Sequence, residues 1–175
     1  MNESSGFYHL GIAPNILTIL DNLHFKIPTP IQEKSIPPAL EGKDLIGIAQ
    51  TGTGKTLAFG VPMIQAALSG KRGLVVLPTR ELAFQVHESL SRIGAPLRIK
   101  LAVLVGGEPI YRQISALRNN PEIIICTPGR MIDHLEQRTV LLGNVSVLVL
   151  DEADRMLDMG FAPQLKKILQ VVPRE

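Results

Sequence analysis

Apolar residues along this chain fall into short continuous runs, separated by longer stretches with the spacing of an amphipathic helix. Short apolar runs bounded by turn residues are typical of strands buried on both faces, and they predict strands at 44–48, 73–77, 99–105, 122–125 and 145–150. Helical spacing predicts helices at 14–23, 31–41, 55–68, 80–93, 109–118, 129–137 and 162–171. Because strands and helices alternate, we expect an α/β domain with a parallel sheet between two helical layers.

The residues before this alternation form a helical segment of their own. Two helices are predicted there, and Pro14 and Pro30 fit the first turn of each. We therefore predict a helical preface at residues 1–42 and an α/β domain at residues 43–175.

Composition is typical of a globular protein. The 175 residues are 45% hydrophobic and 19% charged, and the net charge of +2 does not by itself indicate nucleic acid. The single cysteine, Cys126, excludes an internal disulfide and fits a reducing compartment. No apolar run reaches the roughly 18 residues of a membrane span, and Met1–Ser5 lack the basic and apolar parts of a secretion signal. We expect a cytoplasmic protein without a membrane segment.

A glycine-rich loop joins the first predicted strand to the helix predicted at 55–68. It consists of Ala49, Gln50, Thr51, Gly52, Thr53, Gly54, Lys55 and Thr56. The glycines let several backbone N–H groups point at one spot, and the helix N-terminus adds partial positive charge, so the layout predicts a phosphate-binding P-loop. Lys55 would reach a terminal phosphate, and the Thr56 hydroxyl would bind Mg²⁺. The alternative is a turn that binds nothing, since Ala49 stands where the general pattern has glycine.

Two acidic residues follow the last predicted strand directly. Ligands of parallel α/β sheets bind beyond the carboxyl ends of the strands, so Asp151 and Glu152 would face the same crevice as the P-loop. Adjacent carboxylates at a buried strand end need a cation nearby. Asp151 would hold Mg²⁺ with Thr56, and Glu152 would orient or deprotonate an attacking water. The alternative is an acidic first turn that stabilises a helix dipole.

Three further strand ends carry groups suited to holding a sugar–phosphate backbone. These candidates are Pro78, Thr79, Arg80, Gly106, Gly107, Thr127, Pro128, Gly129 and Arg130. Arginines, hydroxyls, helix N-termini and glycines hold phosphates without reading bases. Taken singly, each has a structural alternative as a helix cap, a turn or a solvated helix residue. Aromatic residues make up only 4% of the chain, so base stacking is not the expected mode.

The preface offers a candidate for base recognition. Gln32 carries a donor and an acceptor on one amide, the pattern that pairs with the N6 and N7 edge of adenine. Phe7 is an upstream aromatic residue that could stack on the ring. From chemistry alone, a proline-shaped helix entry with Gln32 on its surface is the simpler interpretation.

Together these motifs resemble the first RecA-like domain of DEAD-box RNA helicases. Asp151-Glu152-Ala153-Asp154 spells the signature of that family, and residues 49–56 resemble its motif I, in which Ala49 is normal. The other motifs follow in order: Phe25–Gln32 resembles the Q motif with Phe7 upstream, Pro78–Ala83 motif Ia, Gly106-Gly107 the GG motif, and Thr127–Arg130 motif Ib. His24 departs from the usual glycine. Residues 155–161, which follow the signature, are also typical of the family. The resemblance covers roughly residues 7–171, and the chain looks most like the bacterial members.

The resemblance implies an RNA-stimulated ATPase that uses ATP and Mg²⁺ and contacts the RNA backbone through the nine strand-end candidates. Phe7 and Gln32 would select adenine, and residues 49–56 would hold the phosphates, with Lys55 on the outer ones. Thr56 and Asp151 would organise Mg²⁺, and Glu152 would activate water. Asp154 would link the nucleotide state to the next motif.

The resemblance also implies parts that lie beyond residue 175. These are a Ser-Ala-Thr motif and a second RecA-like domain, whose arginines complete the ATP site. Such arginines are worth about 10³–10⁵ in rate in related systems, so we expect the chain alone to bind adenine nucleotide with little turnover. In RecA-like sheets the strand of the absent motif lies between those of motifs I and II, so we expect a gap there and marginal stability, or a neighbouring chain that fills it.

Two other function classes stay open on the sequence. One is a non-catalytic nucleotide- or RNA-binding module. The other is a P-loop small-molecule kinase, which Glu152 and the backbone-holding motifs disfavour.

Overall fold

The computed structural model describes residues 6–174. The expected absence of a secretion signal rests on Met1–Ser5, which lie outside the described residues. The sheet has four strands: β1 (Arg72–Val76), β2 (Leu101–Leu104), β3 (Ile123–Cys126) and β4 (Val145–Leu150). The strand order is β2-β3-β1-β4, and every neighbouring pair is parallel. The predicted parallel α/β fold is confirmed.

Helices surround this sheet: α1 (Pro14–Asn22), α2 (Pro30–Leu40), α3 (Lys55–Leu68), α4 (Arg80–Gly94), α5 (Ile110–Arg118), α6 (Pro128–Glu136), α7 (Ala153–Asp158) and α8 (Ala162–Val171). Short 3₁₀ helices lie at Gly6–His9 and Ala95–Leu97. The sequence predicted seven of the α-helices to within one residue at each end. It missed α7, because six residues are too few to show a helical period.

Alternate residues of the central strand β1 enter two separate apolar cores. Val75 packs among buried residues of α1, α2, α3 and α4, whereas Leu74 and Val76 pack among buried residues of α6, α7 and α8. Strand side chains alternate between the two faces of a sheet, so a strand covered by helices on both sides must be apolar throughout. This arrangement confirms the predicted three layers.

The two helices of the preface pack into the apolar core that α3 and α4 form on one face of the sheet. Ile16 and Leu20 of α1 and Ile36 of α2 are buried together with Ile64 of α3 and Leu90 of α4. Helices α1 and α2 of the preface therefore share one apolar core with α3 and α4. The division into segments 1–42 and 43–175 stays a prediction.

The strand predicted at 44–48 is wrong. Residues 43–50 form neither strand nor helix, and Leu45, Ile46 and Ile48 are 48%, 95% and 92% exposed. The sheet ends at β4, whose residues after Ser146 are only half-buried. A strand requires a hydrogen-bonded neighbour, and no strand among residues 6–174 pairs with this segment, so its apolar pattern alone does not make it a strand.

No helix among residues 6–174 is both long enough and apolar enough to span a bilayer. The cytoplasmic location stays a prediction.

Candidate functional site

The predicted phosphate loop has the curled backbone that its glycines allow. Gly52 and Gly54 have φ values of 80° and 85°, in the left-handed region that favours glycine, and the Thr53 hydroxyl donates to the Gln50 carbonyl over 2.5 Å. A Cβ on Gly52 would meet no atom of residues 6–174 within 4 Å, so open space borders this part of the loop. Helix α3 begins at Lys55, which directs its N-terminal partial charge at this loop. The loop can therefore receive a phosphate group.

The acid after β4 lies within electrostatic reach of the P-loop lysine. The Asp151 backbone N–H continues the sheet by donating to the Val76 carbonyl over 3.0 Å. Burial raises the pKa of Asp151, and the positive charge of Lys55 partly opposes that rise. Asp151 and the half-buried Thr56 supply the oxygen donors that Mg²⁺ prefers, so these residues fit a magnesium–nucleotide complex.

Glu152 holds a strained backbone conformation. Its φ of 53° lies in the left-handed region, which costs a non-glycine residue about 1 kcal/mol or more. Its N–H donates to Asp151 Oδ1 over 3.1 Å, and its carboxylate accepts from Arg155 over 3.2 Å. Strain of this kind concentrates at functional sites. Asp154, the predicted coupling residue, lies exposed in the first turn of α7, and its role stays a prediction.

Gln32 is buried rather than on the surface, so the simpler interpretation of this residue is wrong. It is 3% exposed; its Oε1 accepts from the Thr29 backbone N–H over 2.9 Å, and its Nε2 donates to the Gly54 carbonyl over 3.1 Å. The amide thus joins the start of α2 to the end of the P-loop. The Thr29 hydroxyl oxygen is buried beside Gly54 and forms a capping box with Gln32 at the start of α2.

Phe7 lies inside the apolar core of the α1–α4 face, where it is 3% exposed. Its ring and the Gln32 amide are both enclosed by protein in this conformation. The selection of adenine by these two residues stays a prediction.

The loops that follow β1, β2 and β3 meet in one groove of about 510 Å³. Seven of the nine strand-end candidates line it: Pro78, Arg80, Gly106, Gly107, Thr127, Gly129 and Arg130. Thr79 instead caps α4, since its hydroxyl accepts from the Leu82 N–H over 3.3 Å, and Pro128 is buried at the start of α6. The structure therefore brings together most of the residues that the sequence grouped.

Arg80 is held against the glycine pair from three sides. Its guanidinium donates to the Gly106 carbonyl over 3.2 Å and to the Glu108 carboxylate over 3.1 Å, and it lies 5.9 Å from the centre of the Phe84 ring. Gly107, with a φ of 78°, passes directly beneath it, and a Cβ there would lie 2.0 Å from Arg80 Nη1. Only glycine permits this approach.

Arg130 is more deeply placed, with 14% of its side chain exposed. Nη1 donates to the Glu108 carbonyl over 2.9 Å and to Gln113 Oε1 over 3.2 Å, and Nε lies 3.4 Å from Asp133 Oδ2. Each groove arginine thus has a carboxylate beside it. An incoming phosphate would meet guanidinium groups that are already oriented.

Sequence reasoning missed several residues of this groove. Glu108, Asp133 and Phe161 line it or pair with its arginines, and Gln113 and His134 support it from below. Glu108 directly follows the glycine pair at a strand end, a position that could have identified it. Gln113 and His134 gave no signal, because a buried polar residue within a helix looks like an ordinary surface residue in the sequence.

The family model and the relatives that match this chain all indicate the same family. A family model described as DEAD/DEAH box helicase matches residues 29–175. The ATP-dependent rRNA helicase rrp3 of Sclerotinia sclerotiorum is 49% identical over 98% of this chain, and the DEAD-box ATP-dependent RNA helicase CshA of Bacillus cereus is 48% identical over 95%. These nearly equal values do not separate bacterial from fungal relatives. The chain spans 36% and 32% of these two relatives' lengths.

Solved structures share the fold. A DEAD box protein from the hyperthermophile Methanococcus jannaschii has a TM-score of 0.91 at 40% identity, covering 97% of this chain and 47% of its own. A hypothetical ATP-dependent RNA helicase from Sulfolobus tokodaii has a TM-score of 0.85 at 38% identity, covering 90% of this chain and 46% of its own.

Proposed function

Because this chain belongs to the DEAD/DEAH box helicase family, we propose that it is the ATP- and RNA-binding part of a longer RNA helicase. One observation carries the proposal: Asp151 and the arginine groove lie at the carboxyl edge of one sheet, and Lys55 of the P-loop lies within electrostatic reach of Asp151. Asp151 follows β4, and Pro78 follows its neighbour β1, so a nucleotide and a nucleic-acid backbone would bind on adjoining strands. Adjoining sites allow the occupancy of one to change the geometry of the other.

The nucleotide chemistry assigns one task to each residue. The backbone N–H groups of residues 51–56 cradle the phosphates, and Lys55 neutralises the outer ones. Thr56 and Asp151 hold Mg²⁺, which when bound offsets the charge on the phosphate oxygens. Glu152 orients an attacking water and accepts its proton. Gln32 and Phe7 select adenine.

The groove holds RNA by its backbone. Arg80 and Arg130 contact phosphates, and Gly106, Gly107 and the start of α6 allow the strand to approach the protein backbone closely. With contacts confined to phosphate and sugar, binding is independent of base sequence and weakens with salt. Duplex unwinding by the longer protein follows from coupling this grip to the nucleotide state.

We further propose that the chain alone turns over little ATP. Its curated relatives are about three times as long, and the resemblance assigns further transition-state arginines to a second domain. The competing function is a non-catalytic nucleotide- or RNA-binding module. ATPase rates with and without an added C-terminal half separate the two: RNA-stimulated turnover restored by that half supports the helicase, and its absence supports the module.

The first test is calorimetric titration of the chain with ADP and with GDP in the presence of Mg²⁺. We expect micromolar ADP binding and no GDP binding. The variant Lys55→Met should lose ADP binding, whereas Lys34→Met, which makes the same change on the exposed face of α2, should not. Equal binding of ADP and GDP would contradict the adenine assignment, and undiminished binding by Lys55→Met would contradict the phosphate site.

The second test is fluorescence anisotropy with a labelled single-stranded oligoribonucleotide at several salt concentrations. Arg80→Met should weaken binding equally for different base sequences and make the salt slope shallower by about one unit. Arg118→Met, on the exposed end of α5, is the matched control and should change little beyond its general charge. A loss that depends on base sequence would argue against a backbone grip.

A further inference from the structure

A buried glutamine lies directly behind the arginine groove. Gln113 of α5 is 5% exposed, and both ends of its amide are bonded: Nε2 donates to the Val105 carbonyl over 2.8 Å, and Oε1 accepts from Arg130 over 3.2 Å and from His134 Nε2 over 2.8 Å. Burying an amide is unfavourable unless its hydrogen bonds are made. An apolar side chain of similar size would fill this space without the desolvation cost of an amide, so we look to the amide's hydrogen bonds for its role.

The hydrogen bonds of Gln113 place a proton on one nitrogen of the His134 ring. Because Nε2 donates to a carbonyl, Oε1 faces the other way and can only accept, so the proton of the His134 ring lies on Nε2. His134 Nδ1 lies 2.7 Å from the Thr139 hydroxyl, whose oxygen also lies 3.2 Å from the His134 carbonyl. When the ring is neutral, Nδ1 accepts the single proton of that hydroxyl. Burial and the charge of Arg130 lower the pKa of His134, which favours the neutral ring that this pattern requires. The result is a chain of hydrogen bonds from the end of α6 to the groove.

The same amide joins the two elements that carry the groove's contacts. Val105 immediately precedes Gly106 and Gly107, so its carbonyl anchors the start of the glycine loop. Arg130 belongs to α6, which follows a different strand. With one end on the loop and the other on the guanidinium, Gln113 sets the spacing between them.

We propose that Gln113 is a positioning residue for the RNA-binding groove, holding Arg130 and the glycine loop in register, with His134 as its support. The proposal rests on the proposed function, in which Arg130 contacts an RNA phosphate. Because Gln113 is buried, its effect on affinity must pass through Arg130, which it holds in register with the glycine loop.

A double-mutant cycle on RNA affinity tests this inference. We expect Gln113→Met to weaken binding of a labelled oligouridylate at low salt about three- to tenfold, and Arg130→Met about tenfold, the range for losing a charge-assisted hydrogen bond. When Arg130 is already Met, the further loss from Gln113→Met should be under about twofold, since the guanidinium to be positioned is gone.

Two variants separate positioning from general damage. Gln65→Met removes another partly buried amide, which accepts from the Ala13 N–H over 2.9 Å on the far side of the core, and should leave RNA affinity unchanged. Gln113→Glu keeps an oxygen toward Arg130 but turns a second acceptor toward the Val105 carbonyl in place of the Nε2 donor. It therefore removes only the loop end of the link and should weaken binding less than Gln113→Met does. It is also the variant to use if Gln113→Met does not fold.

The outcomes are distinguishable. Equal weakening by Gln113→Met with and without Arg130 would overturn the positioning role. If Gln113→Met does not fold, equal weakening by Gln113→Glu with and without Arg130 would overturn it in the same way. If Arg130→Met binds RNA as well as the unchanged chain does, then the proposed function has misassigned Arg130, and the inference falls with it. Supporting data are a weakening by Gln113→Met that requires Arg130, together with an inert Gln65→Met.

Discussion

Replacing Gln32 by methionine tests whether its amide joins α2 to the P-loop. Methionine has a similar length and removes both polar atoms. The change leaves the Thr29 N–H and the Gly54 carbonyl without the partners they now have at 2.9 and 3.1 Å. Each unsatisfied, partly buried group costs about 1–3 kcal/mol. The greater hydrophobicity of methionine at a 3% exposed position offsets about 1 kcal/mol of this loss.

We therefore expect Gln32→Met to lower the free energy of unfolding by about 2 kcal/mol. Urea denaturation followed by circular dichroism measures this change, since the chain has no tryptophan to report by fluorescence. Gln85→Met makes the same substitution on the exposed face of α4 and should stay within about 0.5 kcal/mol of the unchanged chain. If Gln32→Met also stays within that margin, the amide does not hold the two elements together.

Nucleotide binding by the same variant tests the adenine role separately. If Gln32 also reads adenine, ADP affinity should fall by tenfold or more in calorimetry, because a site built to hydrogen-bond a ligand discriminates strongly through those bonds. A destabilised variant that binds ADP as tightly as before, under conditions where it is fully folded, would show that Gln32 is a structural link only.

Three further predictions concern other elements. Gly107→Ala should lower stability by about 1–2 kcal/mol and weaken RNA binding severalfold, because alanine is strained at a φ of 78° and its Cβ would displace the Arg80 guanidinium. The free energy of unfolding of Glu152→Gly should be about 1 kcal/mol higher than that of Glu152→Ala in urea denaturation. Both variants lose the carboxylate, but only alanine keeps the strain of the left-handed conformation. Stability should fall as the pH drops below 6.5, because the pKa values of His134 and His87 are lowered by burial, so the unfolded chain binds protons that the folded chain excludes.

Each has a control and a refuting result. Gly106→Ala should change stability and RNA binding little, because the added Cβ would meet no atom of residues 6–174 within 4 Å. Equal losses in Gly106→Ala and Gly107→Ala would contradict the close approach of Arg80 to Gly107 as the cause. A Glu152→Ala variant at least as stable as Glu152→Gly would contradict the strain. Burial raises the pKa of Asp151, and this shift makes the folded chain more stable as the pH falls, opposite to the effect of the histidines. The pH test therefore compares the unchanged chain with His134→Gln, because the contribution of Asp151 is the same in both. An equally steep fall in both would remove His134 as a cause.

The sequence determined those features that depend on neighbouring residues. Helix α3 and strand β4 have the predicted bounds, because their apolar patterns and the glycines or acids that flank them are local signals. The left-handed glycines of the P-loop are likewise a property of the residue type. The strand ends were also predicted to share one edge, since parallel strands connected by helices have no other arrangement.

Only the tertiary structure decided features that depend on distant partners. Residues 44–48 have a strand-like pattern, but no strand in the described part of the chain pairs with them, and pairing is a property of the whole sheet. Phe7 and Gln32 are enclosed by segments far along the chain. Gln113 and His134 are buried polar residues whose hydrogen bonds cross from one helix to another, and no periodicity in the sequence encodes such a contact. Local patterns specify elements, whereas polar networks and strand partners are fixed only when those elements pack.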